Sequence, residues 1–202
     1  MSTVEQQGAA LKRPEDVLNL LRDVFERRGA ESYLGEDVTM SQHMLQGAAM
    51  VGRQGFGDAV VVAALLHDIG HYINDFPEAD ALRLDRRHQI TGAAILTRWF
   101  PPIVVECVRG HVDAKRYLCA AEPDYLRTLS DASIHTLELQ GGIFDDREAR
   151  VFAKSPYLDD MLAVRRADDA GKDRDAEVPG FAIYEPAIMR LMREHKRNGD
   201  SE

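Results

Sequence analysis

Ala64-Leu65-Leu66-His67-Asp68-Ile69-Gly70-His71-Tyr72 is the stretch from which the rest of the chain is read. An apolar run from Val60 to Leu66 ends in adjacent histidine and aspartate, and a second histidine follows at 71. On a continuous helix His67 and His71 share a face, with Asp68 turned about 100° from His67. A carboxylate beside an imidazole at the end of a buried helix is costly unless a metal ion or another partner takes it up. A core histidine and an aspartate with ordinary hydrogen bonds would also satisfy the dipeptide. The remaining histidines weigh against that simpler reading.

Moving outward, Asp58 is expected to cap this apolar helix, and Gly52 to Gly57 closes the one before it. That preceding helix carries His43, Leu45, Ala48, Ala49 and Val51, with Thr39 or Ser41 as its cap. Upstream, Ser32 to Thr39 reads as a loop. The first helix begins at Pro14, with Glu15 and Asp16 at its favourable end. Val17, Leu20, Leu21, Val24 and Phe25 form its apolar stripe, and Gly29 ends it. Downstream, the charged, proline-containing stretch Asn74 to Leu84 is expected to be a loop over the site. Helices are expected at Asp85 to Phe100, with His88 in the first turn, and at Ile103 to Val112 after Pro101-Pro102, with His111 near its end. Pro123 to Leu129, Asp131 to Leu139, Asp145 to Lys154, Tyr157 to Ala170 and Tyr184 to His195 complete the helical set. Gly141-Gly142 is a turn and Val178-Pro179-Gly180 a break. With no period-two strand pattern, the fold class is all-α, a single helical bundle over residues 14–196 with polar tails at 1–13 and 197–202.

Composition narrows the function. The 202 residues are 45% hydrophobic and 29% charged, as in an ordinary globular protein. A net charge of −9 argues against non-specific nucleic-acid binding. No apolar run is long enough to cross a membrane, and Met1 to Ala10 lacks the apolar core of a signal peptide. Cys107 and Cys119 have no metal or disulfide spacing, which points to reduced thiols in the cytoplasm. His43, His67, His71, His88 and His111 fall on four successive helices, and bundles build metal sites from such inward-facing side chains. Imidazole and carboxylate donors suit iron, manganese or zinc.

On these residues the chain resembles the HD-domain superfamily, whose pattern of His, His-Asp and a distant Asp corresponds here to His43, His67-Asp68 and Asp168. Two further histidines, here His88 and His111, mark its dinuclear members. The chain is more closely similar to the small mixed-valent di-iron oxygenases of that superfamily that degrade 1-hydroxyalkylphosphonates. The likeness runs through Tyr33-Leu34-Gly35-Glu36, the His67-Asp68 segment, His111-Val112-Asp113-Ala114-Lys115-Arg116-Tyr117-Leu118, Leu129-Ser130-Asp131-Ala132-Ser133, Gln140-Gly141-Gly142, Arg165 to Lys172 and Val178-Pro179-Gly180. It extends from about residue 15 to 196.

The resemblance implies an HD-domain bundle with a buried dinuclear site holding two iron ions as Fe(II)/Fe(III). His43, His67, Asp68 and Asp168 would hold one iron. Asp68 would bridge to the other, held by His88 and His111. Asp169 adjoins Asp168, so the last ligand rests on the family register and its spacing to Lys172. Lys115, Ser133, Gln140 and Arg165 are implied to bind the phosphonate, and His71 to support catalysis from the substrate side or by orienting a ligand. Tyr33 and Glu36 are implied to gate the oxygen site. The implied substrates are a hydroxyphosphonate and dioxygen. The carbon–phosphorus bond of 2-(trimethylammonio)- or 2-amino-1-hydroxyethylphosphonate would be cleaved to glycine betaine or glycine plus phosphate. A quaternary ammonium needs carboxylates or aromatic faces; Tyr33, Glu36, Tyr72 and Asp75 are candidates. The rival is an HD phosphohydrolase acting on a nucleotide or phosphomonoester with a metal-activated water. A ligand sensor without turnover is a weaker third.

Overall fold

The computed structural model describes residues 12–28, 33, 36–73 and 88–199, and helices make up the regular structure of these residues. Helix α1 (Pro14–Asp23) starts on its proline, and the Asp16 carboxylate accepts the Arg13 backbone N–H at 2.9 Å. Val17, Leu18 and Leu21 are its buried face, so Leu18 takes the place expected of Leu20. The chain then widens into a π-helical turn, Val24–Arg28, which buries Val24 and Phe25. A widened turn leaves backbone groups to be paired elsewhere, and the Ser41 hydroxyl donates to the Phe25 carbonyl at 2.9 Å. Gly29 lies outside the described residues.

Helix α2 (Met40–Arg53) is opened by Thr39, not Ser41. Thr39 and Gln42 exchange side-chain-to-backbone hydrogen bonds, a reciprocal cap that satisfies two donors. Helix α3 (Asp58–Leu66) is apolar all round, with Val60 to Leu66 entirely buried. Its cap is Gly57, and Asp58, expected to be the cap, is the first helical residue instead. More consequentially, α3 stops at Leu66. His67, Asp68 and Ile69 form a turn, and a short helix α4 (Gly70–Ile73) restarts beyond it. His67 and His71 therefore do not lie on one continuous helix.

Helix α5 (His88–Leu96) opens the next described segment; the expected Asn74 to Leu84 loop and the start of the helix at Asp85 lie outside the described residues. Helix α6 (Pro102–Ala121) runs well past Val112. Nothing from Asp113 to Ala121 breaks it, and Ala114 and Leu118 continue its buried stripe. A 3-10 turn (Tyr125–Thr128), α7 (Asp131–Leu139), α8 (Asp146–Phe152) and α9 (Leu158–Ala170) follow. A second 3-10 turn (Phe181–Tyr184) leads into α10 (Glu185–Gly199), which extends past His195. Helices α2 and α6 flank α3, α9 closes over α2 and α6, and α5 packs on α6 and on α4.

Two glycines make this packing possible. A Cβ on Gly70 would sit 2.0 Å from the His88 carbonyl oxygen, so α4 and α5 touch backbone to backbone. A Cβ on Gly171 would come within 2.9 Å of the His43 carbonyl oxygen and 3.2 Å of its ring Nδ1. Gly70→Ala must push α5 away from α4. We expect it to lower the unfolding free energy by at least about 1–3 kcal/mol, the usual cost of overpacking, and to reduce metal content through His88. Denaturant titration and metal analysis check this; unchanged values for both would contradict the close approach.

Candidate metal centre

Three histidines are aimed by the backbone. His67 Nδ1 lies 2.8 Å from the Ala64 carbonyl oxygen and His111 Nδ1 lies 2.7 Å from the Val108 carbonyl oxygen, each three residues back along the chain. His43 Nδ1 meets the Gly171 carbonyl oxygen at 2.9 Å. A carbonyl only accepts, so all three rings carry their proton on Nδ1 and turn Nε2 inward. Gly171 thus serves twice, leaving room for the ring and supplying the oxygen that orients it.

The inward nitrogens gather in two groups around one carboxylate. His43 Nε2 and His67 Nε2 are 3.0 Å apart, and Asp168 Oδ1 is 3.3 Å from the first and 3.9 Å from the second. Asp68 Oδ2 faces this group at 3.7 and 3.5 Å. Its other oxygen, Oδ1, faces His88 Nε2 at 3.2 Å and His111 Nε2 at 3.5 Å, and those two nitrogens are 3.1 Å apart. All six residues are buried. The turn at 67–69 accounts for this placement: leaving the helix at His67 sets the Asp68 carboxylate between the two histidine pairs.

This donor set fits metal ions. In the first group both Nδ1 protons are committed to carbonyls, so two Nε2 lone pairs face each other at 3.0 Å. Such an arrangement is repulsive unless a cation lies between them. A proton can play that part: although burial opposes the charged ring, the Asp68 and Asp168 carboxylates outweigh it and raise His67 to about 9. A metal ion must displace that proton, because only the neutral ring ligates. His111, where burial dominates, is instead held below its ordinary value. Burial pushes the Asp168 carboxyl up, yet the Arg165 guanidinium and the facing histidines keep it well below the usual carboxylate range. His43, His67 and Asp168 could hold one ion, and Asp68, His88 and His111 a second.

The sequence left Asp168 and Asp169 in competition. In the structure Asp168 faces the histidines, while Asp169 takes the Arg165 guanidinium and the Tyr125 hydroxyl. Arg165 spans this network, with Nη1 donating to Asp168 at 2.6 Å and Nε to the Tyr125 oxygen at 3.2 Å.

The cavity beside the second group is lined by seven of the substrate-side residues singled out in the sequence: Tyr33, Glu36, His71, Lys115, Ser133, Gln140 and Arg165. Lys115 is 2% exposed, not a surface lysine, and donates to Thr136 Oγ1 at 2.8 Å. The Tyr33 ring stacks on His43 with centroids 4.0 Å apart, and the His71 ring stacks on His88 at 4.3 Å. Arg116 holds the Gly141-Gly142 turn through the Gly142 carbonyl at 2.7 Å, fixing the end of α7 that carries Gln140. Tyr72 is buried but is not among the cavity-lining residues, and Asp75 lies outside the described residues. Thr136 and Lys172 also line the cavity and were not expected there. Thr136 was readable, since it follows Ser133 by three residues on the same face of α7. Lys172 lies beyond the end of α9, where no periodicity aims a side chain.

An all-α bundle with a His-Asp turn at the end of its buried helix, and two histidine pairs on one aspartate, defines the class of the protein. An HD-domain model matches residues 11–137, and the chain belongs to the HD-domain family. Within it, the chain is 45% identical over 182 residues to the glycine-betaine-forming [1-hydroxy-2-(trimethylamino)ethyl]phosphonate dioxygenase of Leisingera caerulea, covering 89% of this chain and 92% of the relative. It is 35% identical over 179 residues to the hydroxymethylphosphonate dioxygenase of Gimesia maris, covering 88% and 89%.

Because both groups draw on Asp68, Asp68→Ala should abolish binding of both metals rather than one. Metal analysis of the purified variant checks this. Retention of two ions would exclude the bridge.

Proposed function

We propose that this protein uses dioxygen to cleave the carbon–phosphorus bond of 1-hydroxy-2-(trimethylammonio)ethylphosphonate, giving glycine betaine and phosphate. The 2-amino analogue, giving glycine, is the alternative substrate. The observation that carries this reading is the likeness, over nearly the whole chain, to two dioxygenases of hydroxyphosphonates. The same likeness favours oxidative cleavage over a phosphohydrolase, which could use a similar ligand set. The reaction balances: substrate and one dioxygen give the carboxylate, hydrogen phosphate and a proton, with both oxygen atoms retained in products. The carbinol carbon is oxidised and the dioxygen reduced.

Two irons, one Fe(II) and one Fe(III), are the proposed cofactor; held by His43, His67, Asp68 and Asp168 and by Asp68, His88 and His111, they would supply dioxygen activation and oxidation of the carbinol carbon. The imidazole and carboxylate donor set suits iron. Lys115, Ser133, Gln140 and Arg165 bind the phosphonate, for which ammonium, hydroxyl, amide and guanidinium donors are suited. Their placement beside His88 and His111 holds the carbinol carbon against the second group. His71, stacked on His88, steadies that ligand and borders the substrate. Tyr33 lies against His43 and closes the cavity until substrate arrives, while Glu36 meets the ammonium. Among the described residues no helix is long and apolar enough to cross a membrane, and both cysteines are free thiols; we place the enzyme in the cytoplasm.

The test is anaerobic iron loading followed by oxygen uptake and phosphate release with the two candidate phosphonates. Stoichiometric uptake and release are expected; phosphate release without oxygen consumption would favour the phosphohydrolase. Lys115→Ala should keep its iron and lose at least about tenfold in kcat/KM, because a charged hydrogen bond contributes roughly 1.5–3 kcal/mol. Unchanged kinetics would remove Lys115 from the phosphonate site. For the gate, Tyr33→Phe should speed oxidation of the reduced centre in the absence of substrate, and an unaltered rate would exclude the tyrosine.

A further inference from the structure

The cavity wall holds an ion pair to which the sequence assigns no role. Lys172 Nζ donates to Glu36 Oε1 at 2.8 Å, to Ser130 Oγ at 2.8 Å and to Ser133 Oγ at 3.1 Å. Ser130 in turn donates to the same Glu36 oxygen at 2.7 Å. An ammonium has three donors, and these three oxygens account for them. The pair is only slightly exposed, 14% for the lysine and 17% for the glutamate, so little solvent screens it.

Glu36 and Lys172 join different parts of the substrate wall. Ser133, the proposed phosphonate donor, touches both lysines: Lys172 through its hydroxyl, and Lys115 through its backbone carbonyl at 3.3 Å. Lys172 therefore stands at the anion end. Glu36 is the carboxylate of the proposed ammonium end, yet with no substrate bound its charge is already taken by the lysine. Neither charge can leave its partner cheaply, because a partly buried ion left unpaired is destabilising.

We propose that Lys172 is a specificity-determining residue that works by ion-pair exchange: a zwitterionic substrate replaces the Glu36–Lys172 bridge with two new ones. The phosphonate takes Lys172 and the ammonium takes Glu36. This rests on the functional reading above and deepens it. A hydroxyphosphonate without a cation would draw Lys172 away and strand the Glu36 carboxylate beside a dianion. The resident pair thus penalises amine-free substrates, a device against wrong ligands and not merely an attraction for the right one. The bridge also gives Glu36 a fixed resting position.

Anaerobic calorimetry of the iron-loaded enzyme tests this with two ligands. One is 1-hydroxy-2-(trimethylammonio)ethylphosphonate; the other is its neutral carbon isostere, 1-hydroxy-3,3-dimethylbutylphosphonate. Glu36→Gln should weaken the zwitterion but tighten the isostere at least about tenfold, since Lys172 is no longer held back. Adding Lys172→Met to Glu36→Gln should take that gain away. A gain in affinity cannot come from misfolding, so it is specific to the exchange. If Glu36→Gln leaves the isostere unchanged or weaker, or if the gain survives without Lys172, the exchange is wrong while the phosphonate reading stands. If neither ligand binds the wild-type enzyme, both fall together.

Discussion

The structure turns on one electrostatic requirement: four inward imidazole nitrogens and two carboxylates, all buried, converge on a space suited to cations. The His43 and His67 nitrogens sit 3.0 Å apart with both Nδ1 protons committed to carbonyls, too close for facing lone pairs alone, and the His88 and His111 nitrogens sit 3.1 Å apart. The requirement is imposed by the backbone. Carbonyls of Ala64, Val108 and Gly171 take the outward protons, so three of the rings cannot flip without losing a buried hydrogen bond. Such a site costs folding free energy in the absence of metal, and the apolar body of α3 with its flanking helices supplies the burial that offsets it.

The carboxylates are organised in a hierarchy. Asp68 has no arginine partner described and faces imidazoles on both oxygens. Asp168 is shared with Arg165, which is itself shared with Asp169 and Tyr125. The guanidinium thus buttresses one metal-facing carboxylate while lying in the wall of the cavity. Substrate and metal would be coupled there through a single side chain. The Glu36–Lys172 pair would be a second such coupling, this time between the two ends of the substrate.

Much of this was legible in the sequence. Period and caps located most of the helices, and the histidine spacing placed three of the six converging side chains, His43, His88 and His111, on their elements. The break after Leu66 was not legible, because an apolar run followed by His-Asp continues helical periodicity without a Pro or a terminating residue; the contact of Gly70 with the His88 carbonyl is a tertiary constraint. The length of α6 was missed for the converse reason, since a charged stretch such as Asp113 to Arg116 looks like an end but packs Ala114 and Lys115 inward. The choice between Asp168 and Asp169 depends on which way α9 faces α2, a matter of packing. Lys172 had a spacing but no direction until its partner Glu36, 136 positions away in sequence, was in place.

On this reading the paired site performs an oxidation at carbon and not a hydrolysis at phosphorus. The most direct measurement is turnover of 1-hydroxy-2-(trimethylammonio)ethylphosphonate by the iron-loaded enzyme under ¹⁸O-labelled dioxygen in ordinary water, with mass spectrometry of the products. The expected product is glycine betaine carrying one gas-derived oxygen in its carboxylate. Phosphate released with no label from the gas in any product, and no oxidised carbon, would contradict it.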